Sequence, residues 1–191
     1  MLILASQSPR RREMFDRLQL TYTALSSDAD ETITQALTPQ DYVKTLAVRK
    51  AEAINAAEDD IVIAADTVVA LDGVIYGKPK DYADAFAMIA SFSGKTHKVF
   101  TAFAIKQGQK VYAEAVATAV SFRKLTDGEI DYYIQKEAPY DKAGAYGIQE
   151  MAGIFVEKIE GNFDNVVGLP LCQVETALKS EFATSLFAFA K

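Results

Sequence analysis

The chain has 191 residues, half of them hydrophobic, and a net charge of −6 from 20 Lys plus Arg against 26 Asp plus Glu. That is enough apolar material for one domain over residues 1–191, folded as two lobes, and it excludes global disorder. The acidic balance excludes a polynucleotide partner bound across a broad basic face, and the single cysteine and single histidine exclude a disulfide framework or a Cys/His zinc cluster.

Leu2 to Ala5 reads as a short buried strand, too short and too poor in basic residues for a signal peptide. Ser8 and Pro9 supply an N-cap and a first helical residue, and the spacing predicts a helix to about Leu18 with Met14, Phe15 and Leu18 on one face. Thr38-Pro39 opens a second helix with Asp41 in its first turn and an apolar stripe of Val43, Leu46, Ala47, Ala51 and Ile54. The near-continuous apolar run Ile61 to Leu71 is what a central strand covered on both faces looks like, and Asp72-Gly73 is a turn. A helix from about Tyr82 to Phe92 stops at Ser93-Gly94. Two long strands follow, Thr96 to Lys106 and Lys110 to Phe122, hinged at Gly108, with Val111, Ala113, Ala115, Ala117 and Ala119 alternating on the packed side.

Thr126 and Glu129 form a capping box for a helix through Tyr133 and Ile134. Gly153 to Ile159 reads as a strand and the tail from about Leu171 as a helix. Cys172, in the apolar stretch Val167 to Val174, is expected to be a buried structural thiol. No stretch approaches the roughly 20 apolar residues of a membrane span, so no membrane partner and a cytoplasmic location are expected. Hairpins and helical crossovers together predict an α/β fold with a mixed, twisted β-sheet flanked by helices.

Four features carry chemistry. Asp66 interrupts the apolar run, and an isolated buried carboxylate loses several kcal/mol of solvation, so it needs a metal, a cation or a cleft. Metal ligand or general base is the preferred role, with a structural capping or Arg-paired Asp as the alternative. Lys50 falls on the apolar stripe of its helix, where it either snorkels to the surface or presents an ammonium to phosphates, and pattern alone does not separate the two.

The third feature is Ser6 to Arg12, which runs from a strand into a helix N-terminus, where free N–H groups suit phosphate. Ser8 and Arg10 are its candidate phosphate ligands, and successive arginines point about 100° apart, so at most one or two of Arg10, Arg11 and Arg12 meet a single ligand. Fourth, Gly77-Lys78-Pro79 sets a lysine in a proline-stiffened loop. The acidic loop Ser26 to Thr32 offers Glu31 as a second oxygen ligand for Mg²⁺, with Asp28 and Asp30 read as solvated. His97 lacks the neighbours of a Ser-His-Asp arrangement and is read as structural.

Together these segments resemble the Maf family of nucleotide pyrophosphatases. The matching stretches are Leu2 to Ser6 leading into Ser8-Pro9-Arg10-Arg11-Arg12-Glu13, then Ala65-Asp66-Thr67-Val68-Val69, Gly77-Lys78-Pro79, Ser93-Gly94 with Thr96-His97, Asp141 to Gln149, and Asn165 to Leu171. Their order is collinear and spans nearly the whole chain. The resemblance implies two lobes around a cleft, similar to inosine triphosphate pyrophosphatases, and hydrolysis of a nucleoside triphosphate to monophosphate and pyrophosphate with Mg²⁺ or Mn²⁺. It implies Asp66 as the catalytic carboxylate, also holding metal with Glu31. Arg10, Thr67 and Gln149 match positions that set substrate preference, and Lys50 and Lys78 match positions that line the phosphate site.

The run ending at Gln149 resembles the branch that prefers dTTP and UTP. The same reaction on methylated guanosine triphosphate, or a non-catalytic nucleotide sensor in cell division, are the alternatives. A homodimer is common in such folds. Glu150 and Ala152 stand where glycine or another small residue is expected, and Phe163 where tyrosine is common; Glu150 adds negative charge beside the expected base pocket.

Overall fold

A computed structural model describes all residues, Met1–Lys191, as a mixed α/β protein around one seven-stranded sheet. In chain order the elements are β1 (Leu2–Ala5), α1 (Pro9–Arg17), β2 (Thr23–Leu25), α2 (Pro39–Glu52), β3 (Ile61–Leu71), β4 (Val74–Tyr76), α3 (Tyr82–Phe92), β5 (Thr96–Gln107), β6 (Lys110–Phe122), α4 (Asp127–Glu137), β7 (Val156–Glu160), α5 (Phe163–Val167) and α6 (Leu171–Phe182). The strand order is β2-β1-β3-β5-β6-β7, with β4 paired to the end of β3. β1 runs parallel to both β2 and β3, whereas β4 and β7 pair antiparallel with β3 and β6.

The chain divides into two compact units, Met1–Asp66 with Thr101–Val116 and Gly168–Lys191, and Thr67–Phe100 with Ala117–Val167. In the first, the fully buried β1 and the apolar half of β3 form the centre, as their unbroken hydrophobic runs require. Met14 and Phe15 of α1, Val43, Leu46, Ala47 and Ala51 of α2, and Val174 and Leu178 of α6 are buried in the same unit. The second unit has an aromatic core: Phe92, His97, Phe122, Tyr146, Phe155 and Tyr133 meet in a chain of mostly edge-on ring contacts. No helix is long and apolar enough to cross a membrane.

Several sequence expectations change. Cys172 is exposed, because the buried stripe of α6 is Leu171, Val174, Ala177, Leu178 and Phe182, and position 172 turns off it. In β6 the buried residues are Thr118, Val120 and Phe122, the opposite phase from the odd-numbered alanines, which are partly or fully exposed. β7 starts at Val156, after a 3₁₀ segment Met151–Phe155 that buries Ala152 and Phe155 at a spacing of three. β2 and β4 are short edge strands that the pattern did not signal.

Candidate active site

Asp66 lies on β3, the single carboxylate in an otherwise apolar strand, and is 9% exposed. Its Oδ1 accepts a hydrogen bond from Lys50 Nζ at 2.6 Å, and the same ammonium lies 3.1 Å from Glu31 Oε2. Lys50 is in the last turn of α2, whose stripe of Val43, Leu46, Ala47 and Ala51 packs that face inward. Placed there it cannot snorkel; its side chain is only 13% exposed, and its charge is met by the two carboxylates. The structure thus brings together three residues that the sequence marked separately.

Glu31 reaches this point from a loop without regular structure. Arg49, one residue before Lys50, explains how: its Nη1 donates to the carbonyls of Asp30 at 3.0 Å and Thr32 at 2.8 Å, on either side of Glu31. Asp30 Oδ1 also accepts from the Thr32 amide at 2.9 Å. Arg49 was not among the sequence candidates. It occupies an ordinary helical position, and only the folded loop shows what it holds.

The β1–α1 turn is the second part of the site. Ser6 is buried; its Oγ accepts from the Ser8 amide at 3.1 Å and from Arg11 Nη1 at 3.4 Å. Ser8 is the N-cap of α1, with Pro9 following, yet its side chain makes no capping bond, which leaves the hydroxyl for another partner. Arg10 is half-buried and Arg12 exposed. Arg11 is anchored by Nε donating to the Gly168 carbonyl at 2.7 Å.

Burial pulls the Arg11 guanidinium down to about 10, countered by Asp66, while Arg10 lowers it and Glu31 raises it. It remains a cation at neutral pH, and the carboxylates of the site feel it. The sequence reading favoured Arg10; the structure adds Arg11, which the repeated arginines signalled without saying which would turn inward.

Glu31 and Asp66 converge on one cation, and hard carboxylate oxygens suit Mg²⁺ or Mn²⁺. No cluster of three or more His, Cys, Asp or Glu side chains exists to cage a metal. The donor set therefore fits an ion that completes its shell with water and substrate phosphate oxygens, as Mg²⁺ commonly does.

The remaining candidates lie in the second unit. Thr67 follows Asp66 on β3 and is half-buried. Lys78 is exposed between β4 and α3, and Gln149 is exposed at the end of the segment Asp141 to Gln149. That segment is tightly held: the Gly144 amide donates to the Gly77 carbonyl at 2.9 Å, and the Gly147 amide to the Tyr133 hydroxyl at 3.4 Å. Gly144 has φ +68°, and a Cβ there would lie 2.7 Å from Val69 Cγ2, so only glycine fits. Burial pushes the Tyr133 and Tyr146 hydroxyls well above the usual tyrosine range, keeping both neutral. His97, 1% exposed, bonds Tyr146 Oη through Nε2 at 2.7 Å, the structural role expected of it.

The Maf-like protein family matches residues 1–181. The dTTP/UTP pyrophosphatase of Thermosipho africanus is 46% identical over 173 residues, covering 91% of this chain and 89% of that one. The dTTP/UTP pyrophosphatase of Bacillus cytotoxicus is 44% identical over 178 residues, 93% of each chain. Among solved structures, the Staphylococcus aureus Ham1 protein aligns with a TM-score of 0.42 and 18% identity over 63% of this chain and 71% of that one.

Proposed function

The chain belongs to the Maf family, and from that premise we propose that it hydrolyses dTTP and UTP to the nucleoside monophosphate and pyrophosphate. The observation that carries the reading at the level of residues is the convergence of Asp66 and Glu31 on Lys50, set in a chain whose relatives bear that activity in their names. The second reading of the residues, a structural Asp66, gives no reason for an extra carboxylate from a distant loop.

Water attacks the α-phosphorus, its proton passes to Asp66, and the bond from the α-phosphorus to the bridging oxygen breaks, with pyrophosphate leaving on the electron pair. Lys50, Arg10 and Arg11 of the first unit are cations for the charge that grows on the leaving group, and a preorganised cation needs no reorganisation as that charge appears. Ser8, the N-cap of α1, adds a hydroxyl donor that makes no capping bond of its own, at the positive end of the helix. Asp66 and Glu31 would hold a divalent metal, which supplies electrostatic neutralisation and orientation of the phosphates. Thr67 and Gln149 read the base, and the location is the cytoplasm, where the nucleotide pool is.

The first test is product analysis with purified protein and Mg²⁺ or Mn²⁺. dTTP or UTP should yield monophosphate and pyrophosphate in equal amounts. A diphosphate with orthophosphate would overturn the reaction assigned, and tight binding without turnover would make the protein a sensor.

A further inference from the structure

Lys142 is the most deeply buried lysine of the second unit, with its side chain 8% exposed. A buried ammonium requires anionic partners, and it has two: Asp141 Oδ1 at 3.0 Å and Glu150 Oε2 at 3.2 Å. Asp141 is its exposed chain neighbour, whereas Glu150 reaches back across the segment. The ion pair between 142 and 150 thus closes a loop whose last residue before the clasp is Gln149.

The geometry at Gly147 shows how closely the clasp is built. A Cβ there would stand 2.8 Å from Glu150 Oε2, 3.0 Å from Glu150 Cδ and 3.0 Å from Lys142 Cε. The pair therefore packs against the bare backbone of Gly147, and a Cβ at that position would force the Glu150 carboxylate or the end of the Lys142 chain to shift. Turn hydrogen bonds from the Glu150 amide to the Gly147 carbonyl at 3.1 Å and from the Gly153 amide to the Glu150 carbonyl at 3.0 Å fix the backbone on both sides of the carboxylate.

We propose that the Lys142–Glu150 ion pair is a clasp that orients Gln149, which makes Glu150 a positioning residue for base discrimination. The proposal rests on the reading of the chain as a dTTP/UTP pyrophosphatase in which Gln149 meets the base. A carboxamide donates on one side and accepts on the other, so it tells the uracil edge from the cytosine edge only when its orientation is held. Gln149 is exposed, and the clasp one residue away holds its backbone. Glu150 is accordingly no free negative charge beside the base, as the sequence alone suggested; its charge is answered by Lys142.

The test uses the full chain and its Gln149→Ala, Glu150→Gln, Gly147→Ala and Gln149→Ala/Glu150→Gln variants. kcat/KM for UTP and CTP is measured alongside amide exchange over residues 143–149. Glu150→Gln removes the charge, and Gly147→Ala shifts a member of the pair with the charges intact; each should narrow the UTP to CTP ratio by about three- to ten-fold, the worth of roughly one oriented hydrogen bond. The amides of the loop should exchange about ten-fold faster in both, while those of β1 do not change. In the double variant Glu150→Gln should add nothing to Gln149→Ala, because both act through one side chain.

Equal slowing of UTP and CTP, unchanged exchange in the loop, or additive effects in the double variant would overturn the proposal alone. Absence of pyrophosphate from the unmodified protein would overturn the functional reading and the proposal with it, whereas a ratio unmoved by Gln149→Ala would remove Gln149 as the base reader, and so the proposal, while leaving the hydrolysis standing.

Discussion

Asp66 and Lys50 are partners in one ion pair, yet their removal should have different consequences. Asp66→Asn retains a side-chain acceptor for Lys50, whose ammonium also keeps Glu31 within 3.1 Å, so the fold should persist. The amide can neither take a proton nor hold a metal well, and turnover should fall about 100-fold or more. Near-full turnover in that variant would remove Asp66 from the chemistry. Lys50→Met is the harsher change for stability.

From the helical pattern alone the swap should be neutral or slightly stabilising, since methionine suits an apolar stripe. The structure reverses that expectation, because the variant leaves a nearly buried Asp66 carboxylate without its 2.6 Å partner. A loss of about 2 kcal/mol is expected for an ion stranded in a partly buried position. If Asp66 and Glu31 hold a divalent metal, Mg²⁺ should then raise the melting temperature of Lys50→Met more than that of the unmodified protein, because binding to the folded state no longer competes with the ammonium. Equal shifts in the two proteins would count against these carboxylates as the metal site.

Helix α2 serves the site twice, through Lys50 on its inner side and through Arg49, which holds the loop around Glu31. Arg49→Met should preserve the helix while releasing the carbonyls of Asp30 and Thr32. The expected result is a several-fold increase in the Mg²⁺ concentration for half-maximal activity, since a hydrogen bond from a charged donor has a net worth of about 1.5–3 kcal/mol at most and these two are exposed to solvent. An unchanged metal dependence would mean that the loop keeps Glu31 in place unaided. The difference between Lys50 and Arg49 also marks what a sequence can disclose.

Lys50 violates the apolar period of its helix and so announced itself, as Asp66 did by interrupting an apolar strand. Arg49 violates nothing, and its loop has no periodicity to read. The same holds for the elements. β3, α3 and α4 carry a near-continuous apolar run, a stop signal and a capping box, and they formed within a residue of where those signals lie. β2 and β4, three residues each, form only because a neighbouring strand offers an edge. The alternating alanines of β6 point to the wrong face, because alanine is too small to report which face is covered.

For the whole molecule, acid is the informative stress, because the chain has a single histidine and it is buried. His97 is packed among the rings of Phe92, Phe122 and Tyr146, with the Tyr146 hydroxyl at its Nε2. Desolvation lowers its pKa from 6.5 to about 4. The unfolded chain therefore takes up a proton on this ring before the folded one does. Its contribution to stability is complete above pH 6.5, declines as the pH falls toward 4, and changes no further below that.

A difference of that size corresponds to about 3 kcal/mol across the window. The carboxylates with lowered pKa values, among them Glu129 and Glu175, act in a lower range: their stabilisation is present above the usual carboxylate value of 4.5 and is lost as the pH falls through their folded values. The interval between 4.5 and 6.5 consequently belongs mainly to His97. Urea midpoints measured at close pH intervals should fall steadily through it in the unmodified protein. His97→Asn should be less stable at neutral pH, because it loses ring contacts in the aromatic core, yet nearly flat from pH 6.5 to 4.5. A slope that survives the substitution would show that another group binds the proton on unfolding and would remove His97 as the origin of acid sensitivity in this range.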